Sequence, residues 1–326
     1  MQNDPIKDAL TSQGGECEEI RLLMNRWLED KPQEGQGLNS QLKARLTEIC
    51  RGGEQHRPSR AIIAVHTDKL FDVDRSWTRE NLIPSFRWLS SVEEARFAWS
   101  GFLVSPHIYP QLWKELKNDF IEAAKHYRGL GECRLNYAYL TVMMSVDQSD
   151  FLSGRETGKI IDELPDESWD QIAKCLYRLF DLAGKNRQQY WQGNMKRFIG
   201  VLLKHHQGRC LPEEAAGFLA RICLAEAQLF CSVFEEVKQM LRPISNHHPI
   251  LNQLNESDIC HQHSEQALDF LSSLIDPSQL SSCPDALQEC LNAILANQEQ
   301  LGAHPQYQDF FAQCQKCGYV QKTVQG

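Results

Sequence analysis

The feature that most constrains this chain is the spacing of its apolar residues. They recur every three or four positions in almost every segment that Pro, Gly or Asn does not interrupt, as in QIAKCLYRLF at 171–180 and FLARICLAEA at 218–227. Such spacing places the apolar side chains on one face of a helix, whereas the strict alternation of a β-strand is nearly absent. The sequence therefore predicts an all-α protein.

Start signals divide the chain into successive helices. Ser91 and Asp166 stand where a helix cap is expected, and Pro110 and Pro212 stand where a helix opens. Even AIIAVHTDKLF at 61–71, which begins with a short β-branched run, continues the helical spacing and is predicted as a helix. Short links between helices favour antiparallel neighbours stacked in order. We therefore predict a right-handed α-solenoid of antiparallel helix pairs, similar to HEAT or TPR arrays, with degenerate repeats of about forty residues.

The predicted organisation is a single helical-repeat domain over residues 1–326. A weak subdivision is expected near 147–158, where the sequence is polar and rich in Gly. The chain contains twelve cysteines, spread thinly rather than in the dense pattern of a small disulfide scaffold. Cys175, Cys223 and Cys290 fall on apolar helix faces, where a free thiol packs as a small hydrophobic group.

Composition and charge exclude several classes of function. The chain is 42% hydrophobic, so disorder is not expected, and its net charge of −9 repels nucleic acid and anionic lipid. No apolar run reaches the length of a membrane span, and the first residues lack the basic and then apolar order of a signal peptide. We expect a cytoplasmic protein with no nucleic-acid or membrane partner.

One stretch, SDICHQHSEQAL at 257–268, concentrates metal-ligating residue types. Cys260 and His263, together with His247 and His248 upstream, are candidate zinc ligands. However, zinc sites are generally closed by two ligand pairs at recurrent spacing, and adjacent histidines are expected to point their rings apart. The favoured interpretation is a junction between two helices. The alternative is a zinc-dependent enzyme or a zinc-stabilised module built on these four residues.

The other chemical motifs are incomplete. Cys314 and Cys317 form a CxxC followed by Gly, but no second CxxC completes a zinc ribbon, so we expect two cysteines on one helix face. SGRETGKII at 153–161 resembles a phosphate loop, yet it has one residue too few between its glycines, and Ile160 replaces the Ser or Thr that holds magnesium. We therefore predict no catalytic residue, no cofactor and no enzyme activity.

Aromatic residues are dense between Trp77 and Phe102, in SWTRENLIPSFRWLSSVEEARFAWSGFL. Such density favours packing between helices over a ligand site.

This aromatic run and several others resemble the C-terminal helical region of large bacterial anti-phage defence proteins. The matching stretches are EGQGL, SPHIYPQLWKELKNDFIEAA, QYWQGNMKRF, PEEAAGFLARICLAEAQLF and AHPQYQDFFAQC, which together extend from about residue 4 to residue 318. In that family an N-terminal effector, often a sirtuin-like domain that consumes NAD, precedes the helical region. No position here matches the effector's catalytic residues. The resemblance implies a non-catalytic scaffold for protein–protein interaction, a sensor or regulatory part of a defence system. Its partner would be an effector subunit, a phage protein or a second copy of the chain.

Overall fold

The computed structural model describes residues 7, 9, 11, 14–147, 150–206 and 211–321. Every regular element within these residues is a helix, and none is a strand. This confirms the all-α prediction. The chain divides into two units, residues 1–165 and 166–326, which are described separately. The weak subdivision expected near 147–158 falls inside the first unit, and residues 148 and 149 lie outside the described residues.

Between residues 14 and 165 the first unit contains nine α-helices in its described residues, and Ala123–Cys133 is a 3₁₀ stretch broken at Gly131. The helices are α1 (Gly15–Glu29), α2 (Ser40–Arg51), α3 (Arg57–Ala64), α4 (Thr67–Val73), α5 (Arg75–Asn81), α6 (Val92–Phe102), α7 (Pro110–Glu122), α8 (Arg134–Val146) and α9 (Gly154–Glu163). The predicted start signals are confirmed here. Ser91 caps α6 by accepting a hydrogen bond from the backbone of Glu94, and Pro110 is the first residue of α7.

The second unit also consists of helices in its described residues. Its helices are α10 (Ser168–Leu182), α11 (Arg187–Tyr190), α12 (Lys196–His206), α13 (Glu213–Leu224), α14 (Phe230–Val237), α15 (His248–Asn255), α16 (Ile259–Gln262), α17 (Ser264–Leu274), α18 (Asp285–Asn297) and α19 (Gln308–Lys316). A π-helical turn, Trp191–Met195, joins α11 to α12. The side chain of Trp191 is fully buried there, and its indole N–H donates to the hydroxyl of Ser232.

The segment predicted as one helix from Ala61 is helical but broken. α3 ends at Ala64 and α4 begins at Thr67, because His66 leaves the helical conformation at φ −107° and ψ 22°. The hydroxyl of Thr67 donates to the carbonyl of Ala64 at 2.7 Å. That bond satisfies a carbonyl at the end of α3 and stabilises the break.

Helices α3 and α6 approach closely in the core of the first unit. A Cβ atom built on Gly101 of α6 would lie 2.0 Å from the backbone oxygen of Ala61 of α3, so only a glycine fits at this contact. Arg60, 3% exposed, lies beside it and donates to the carbonyl of Ile49 at 2.7 Å and to the carboxylate of Glu94 at 2.8 Å. Arg60 thereby satisfies a carbonyl at the end of α2 while its charge is neutralised by α6.

The aromatic run predicted to pack between helices does so, with one exception. Trp99 is fully buried, with its ring edge-on to Phe86 at 5.2 Å and to Phe120 at 5.8 Å, and its indole N–H donates to the carbonyl of Phe86. Trp88 is 4% exposed and stacks on His126. Phe97 is only half-buried.

Candidate functional site

The two candidate zinc ligands upstream, His247 and His248, lie at the start of α15. Their rings stack at 4.8 Å, so the expectation that they point apart was wrong. His247 is 8% exposed, its Nδ1 lies 3.4 Å from the carbonyl of Ile244, and its buried Nε2 has no hydrogen-bond partner among the described residues. Burial lowers the pKa of His247, and the neighbouring His248 lowers it further. His248 is exposed.

The two downstream candidates, Cys260 and His263, lie at a helix junction, as the sequence predicts. α16 ends at Gln262, His263 leaves the helical conformation at φ −137°, and α17 begins with Ser264. The thiol of Cys260 is buried, and it raises the pKa of the neighbouring Cys290 on α18. The His263 ring instead lies 6.2 Å from the ring of Phe230.

The four zinc candidates are therefore engaged in different local contacts. Within residues 14–147, 150–206 and 211–321, no group of three or more His, Cys, Asp or Glu side chains is arranged to hold a metal ion.

The CxxC near the end of the chain forms a helix cap. Cys317 ends α19, and Gly318 adopts φ +104°, a left-handed conformation that favours glycine. The backbone N–H of Tyr319 donates to the carbonyl of Cys314 at 2.9 Å, and that of Gly318 donates to the carbonyl of Gln315 at 3.1 Å. This pair of bonds is a Schellman motif, which explains a Gly directly after the second cysteine without a metal.

A third cysteine lies at this cap, and the sequence did not predict its position there. Cys283, in the segment before α18, donates its backbone N–H to the carbonyl of Cys317 at 2.7 Å, while the Cys283 and Cys317 thiols donate to the carbonyls of Pro284 and Cys314. Burial and the neighbouring Cys317 raise the pKa of Cys283 to about 11. No spacing in the sequence indicates this contact, because the residues come from elements separated by all of α18.

A second cluster that the sequence did not reveal joins α1 to α3. The Glu16 carboxylate accepts hydrogen bonds from the Ser59 hydroxyl at 2.7 Å and from Nδ1 of His56 at 2.8 Å, and Arg45 lies 3.3 Å away. Burial opposes ionisation of Glu16, but the hydrogen bonds outweigh it and lower the pKa of the carboxyl group. Because Ser59 donates to the carboxylate and not to the imidazole, these three side chains do not follow the Ser–His–carboxylate order of a catalytic triad.

The clearest exposed apolar feature is a groove in the first unit, between the loop after α6 and helix α8. Its volume is about 380 Å³, and it is lined by Val104, Pro106, His107, Ile108, Asn136, Tyr139, Leu140, Met143 and Met144. Val104 is 38% exposed and Tyr139 is 40% exposed, and Leu135, one turn before Tyr139 on α8, is 46% exposed. Asn136 donates to the carbonyl of Leu103 at 2.8 Å and so fixes the loop against α8. We call these residues, with Leu135, the apolar groove.

The second unit carries an acidic surface. Between Arg242 and Lys316 the sequence contains nine Asp and Glu residues and neither Lys nor Arg. Seven of the nine carboxylates are exposed: Glu256, Asp258, Glu265, Asp285, Glu289, Glu299 and Asp309. They have no Lys or Arg within this stretch to neutralise them, so the surface potential here is negative.

In the described part of the chain, no individual helix has the length and apolar character to span a membrane. One pair, Glu213–Leu224 and Ala227–Met240, meets the criteria only when taken together, and it is bent by 104°.

Comparison with protein-family models, with curated proteins and with solved structures finds nothing that matches this chain.

Proposed function

We propose that this chain is a non-catalytic helical scaffold that recognises another protein through the apolar groove. The observation that carries the proposal is the exposure of Val104 and Tyr139 in the lining of one concave surface, with the exposed Leu135 one turn before Tyr139 on α8. Isolated exposed apolar residues are normal on a protein surface, but a contiguous group around a groove marks an interaction site. Burial of these side chains by a partner would supply the favourable free energy of association.

The composition of the groove suits a peptide or helix of a partner. Met143, which is half-buried in the groove, provides a flexible, polarisable side chain that adapts to the shape of an apolar ligand. Tyr139 offers a large apolar ring with a polar end, a combination enriched in protein interfaces. Asn136 holds the rim in place, so part of the surface is preformed and needs little ordering when a partner binds.

Charge favours a partner of different sequence with net positive charge. The chain carries a net charge of −9, and the acidic stretch between Arg242 and Lys316 contains neither Lys nor Arg. Two copies of the chain would repel each other at long range, whereas a basic partner would be attracted and its association accelerated. Among an effector subunit, a phage protein and a second copy, charge therefore favours the first two.

The resemblance to the helical region of anti-phage defence proteins supplies the biological setting. We propose that the helix pairs form a degenerate α-solenoid, and that the chain senses infection or regulates a separate effector such as a sirtuin-like NAD-consuming enzyme. Solenoids present extended surfaces that suit such recognition. The zinc-dependent alternative finds no support in the described residues, where the candidate ligands engage in separate contacts.

A crosslinking experiment identifies the partner. A photoreactive phenylalanine analogue replaces Tyr139 in the groove, and a matched protein carries the analogue at Leu22, an exposed residue of α1 that does not line the groove. Both are expressed in a bacterial host with the neighbouring genes, with and without phage challenge. We expect a crosslinked protein of net positive charge from position 139 and not from position 22.

Two results would contradict the proposal. Equal crosslinking from both positions would show that the groove is not the site, and crosslinking to a second copy of the chain would show self-association instead. Purified protein should also turn over neither NAD nor ATP. Turnover that disappears when a residue of this chain is substituted would refute the non-catalytic role.

A further inference from the structure

Cys283 and Cys317 have a backbone spacing that a disulfide can bridge. A backbone hydrogen bond of 2.7 Å joins the two residues directly, which keeps their Cα atoms roughly 5–6 Å apart. Disulfides span Cα distances of about 4.4–6.8 Å, and the spacing of these two residues falls within that range. The two thiols are near neighbours, because Cys317 contributes to the raised pKa of Cys283.

Solvent reaches this pair and not the other thiol pair of the second unit. Cys283 and Cys317 are both half-buried, whereas Cys260 and Cys290 are 3% and 0% exposed. The third cysteine of the cap, Cys314, is fully buried and offers Cys317 its backbone carbonyl, 3.1 Å from the Cys317 sulfur, rather than its thiol. An oxidant in solution can therefore reach Cys317, and Cys283 is the accessible thiol beside it.

We propose that Cys283 and Cys317 are an oxidisable pair that hydrogen peroxide converts to an intramolecular disulfide. The thiolate of Cys317 attacks one oxygen of the peroxide, the O–O bond breaks, and the departing hydroxide takes up a proton to form water. The sulfur is now a sulfenic acid. Cys283, deprotonated in turn, attacks that sulfur, so an S–S bond forms and the hydroxyl leaves as a second water. Two thiols are oxidised by two electrons in total, and one peroxide is reduced to two waters.

The disulfide ties the C-terminal cap of α19 to the start of α18. Gln288 of α18 already holds this tail, because its Oε1 accepts a hydrogen bond from the backbone N–H of Val320 at 3.0 Å. A covalent link across residues 283–317 also restricts the unfolded chain. The oxidised protein should therefore melt higher than the reduced protein, by roughly 5 °C or more.

Peptide mass spectrometry of full-length protein tests the proposal. Reduced protein is treated with hydrogen peroxide at pH 8.5, the remaining thiols are alkylated, and the linked peptides and Tm are recorded. We expect loss of two thiols, a peptide linking Cys283 to Cys317, and a raised Tm. Cys283→Ser and Cys317→Ser should each abolish the link, whereas Cys231→Ser, at another half-buried cysteine, should retain it.

Several outcomes would overturn the proposal. A link from Cys314 to either neighbour, an intermolecular link, or sulfinic acid at Cys317 with no link would each show different chemistry. Stoichiometric zinc released from the reduced protein would show a metal site instead. If a serine variant fails to fold, the pairing found in the wild-type peptides still decides the question.

Discussion

Replacing Gly101 with alanine should destabilise the protein, although alanine is the better helix former. The added Cβ would lie 2.0 Å from the backbone oxygen of Ala61, and an ordinary contact needs about 3.4 Å. Helices α3 and α6 must therefore separate by roughly 1.4 Å at this point. A backbone oxygen cannot rotate away as a flexible side chain does, so the strain spreads along both helices.

The expected magnitude combines two opposing effects. Overpacking of a core contact costs about 1–3 kcal/mol, and the upper end applies because the obstacle is backbone. Alanine in place of glycine returns up to about 1 kcal/mol of helix stability. The net destabilisation should be about 2 kcal/mol, and it includes stretching of the Arg60 to Glu94 ion pair, which bridges the same two helices.

Gly217→Ala is the matched control. Gly217 lies in α13, and a Cβ built there would have no neighbour within 4 Å, so only the helix propensity changes. This variant should gain about 0.5–1 kcal/mol. Urea unfolding followed by circular dichroism and tryptophan fluorescence measures both variants. If Gly101→Ala is as stable as the wild type or more stable, the close approach of α3 and α6 is wrong.

Three further perturbations test the core and its electrostatics. Trp99→Ala should lower stability by about 3–5 kcal/mol, because it removes a fully buried ring, and an unchanged Tm would contradict burial of that ring. Arg60→Met should cost about 1.5–3 kcal/mol, because it removes the hydrogen bonds of Arg60 to Ile49 and to Glu94, which stays paired with Arg57. Arg79→Met, at a half-exposed ion pair, should cost under about 1 kcal/mol; equal losses in urea melts would refute the distinction. Folding lowers the pKa of Glu16, so the ionised carboxylate stabilises the protein above its unfolded pKa of 4.5, and this stabilisation is lost as the pH falls through the folded value. The urea midpoints of wild type and Glu16→Gln should therefore differ at pH 7 and converge at pH 3. A constant difference between the midpoints would contradict this linkage.

The sequence alone predicts the helices and helix ends that are determined by neighbouring residues in the chain. Apolar spacing identifies the helices, and Ser91 and Pro110 mark their starts because a cap or a fixed φ acts within one turn. The helix junction at His263 follows from the same local signals. The break at His66 was missed, because apolar spacing continues across it while the backbone turns.

The features that determine the sites depend on contacts between distant segments. Nothing around Gly101 indicates that Ala61 will approach it, and nothing around Cys317 indicates Cys283. The apolar groove has the same origin, since Val104 and Tyr139 come together only when the loop after α6 folds against α8. Periodicity identifies which residues lie on a helix face, but tertiary packing decides which of these faces stay uncovered.

The affinity of the crosslinked partner for groove variants tests whether the apolar groove is the recognition site. Purified partner is titrated calorimetrically into wild type, into the double variant Leu135→Glu with Tyr139→Glu, and into Leu22→Glu. The substituted residues are exposed, so all three proteins should fold alike. We expect the double variant alone to lose at least tenfold in affinity, which corresponds to about 1.4 kcal/mol. Binding of the wild type should weaken as the salt concentration is raised. Unchanged affinity in the double variant would contradict recognition through the apolar groove.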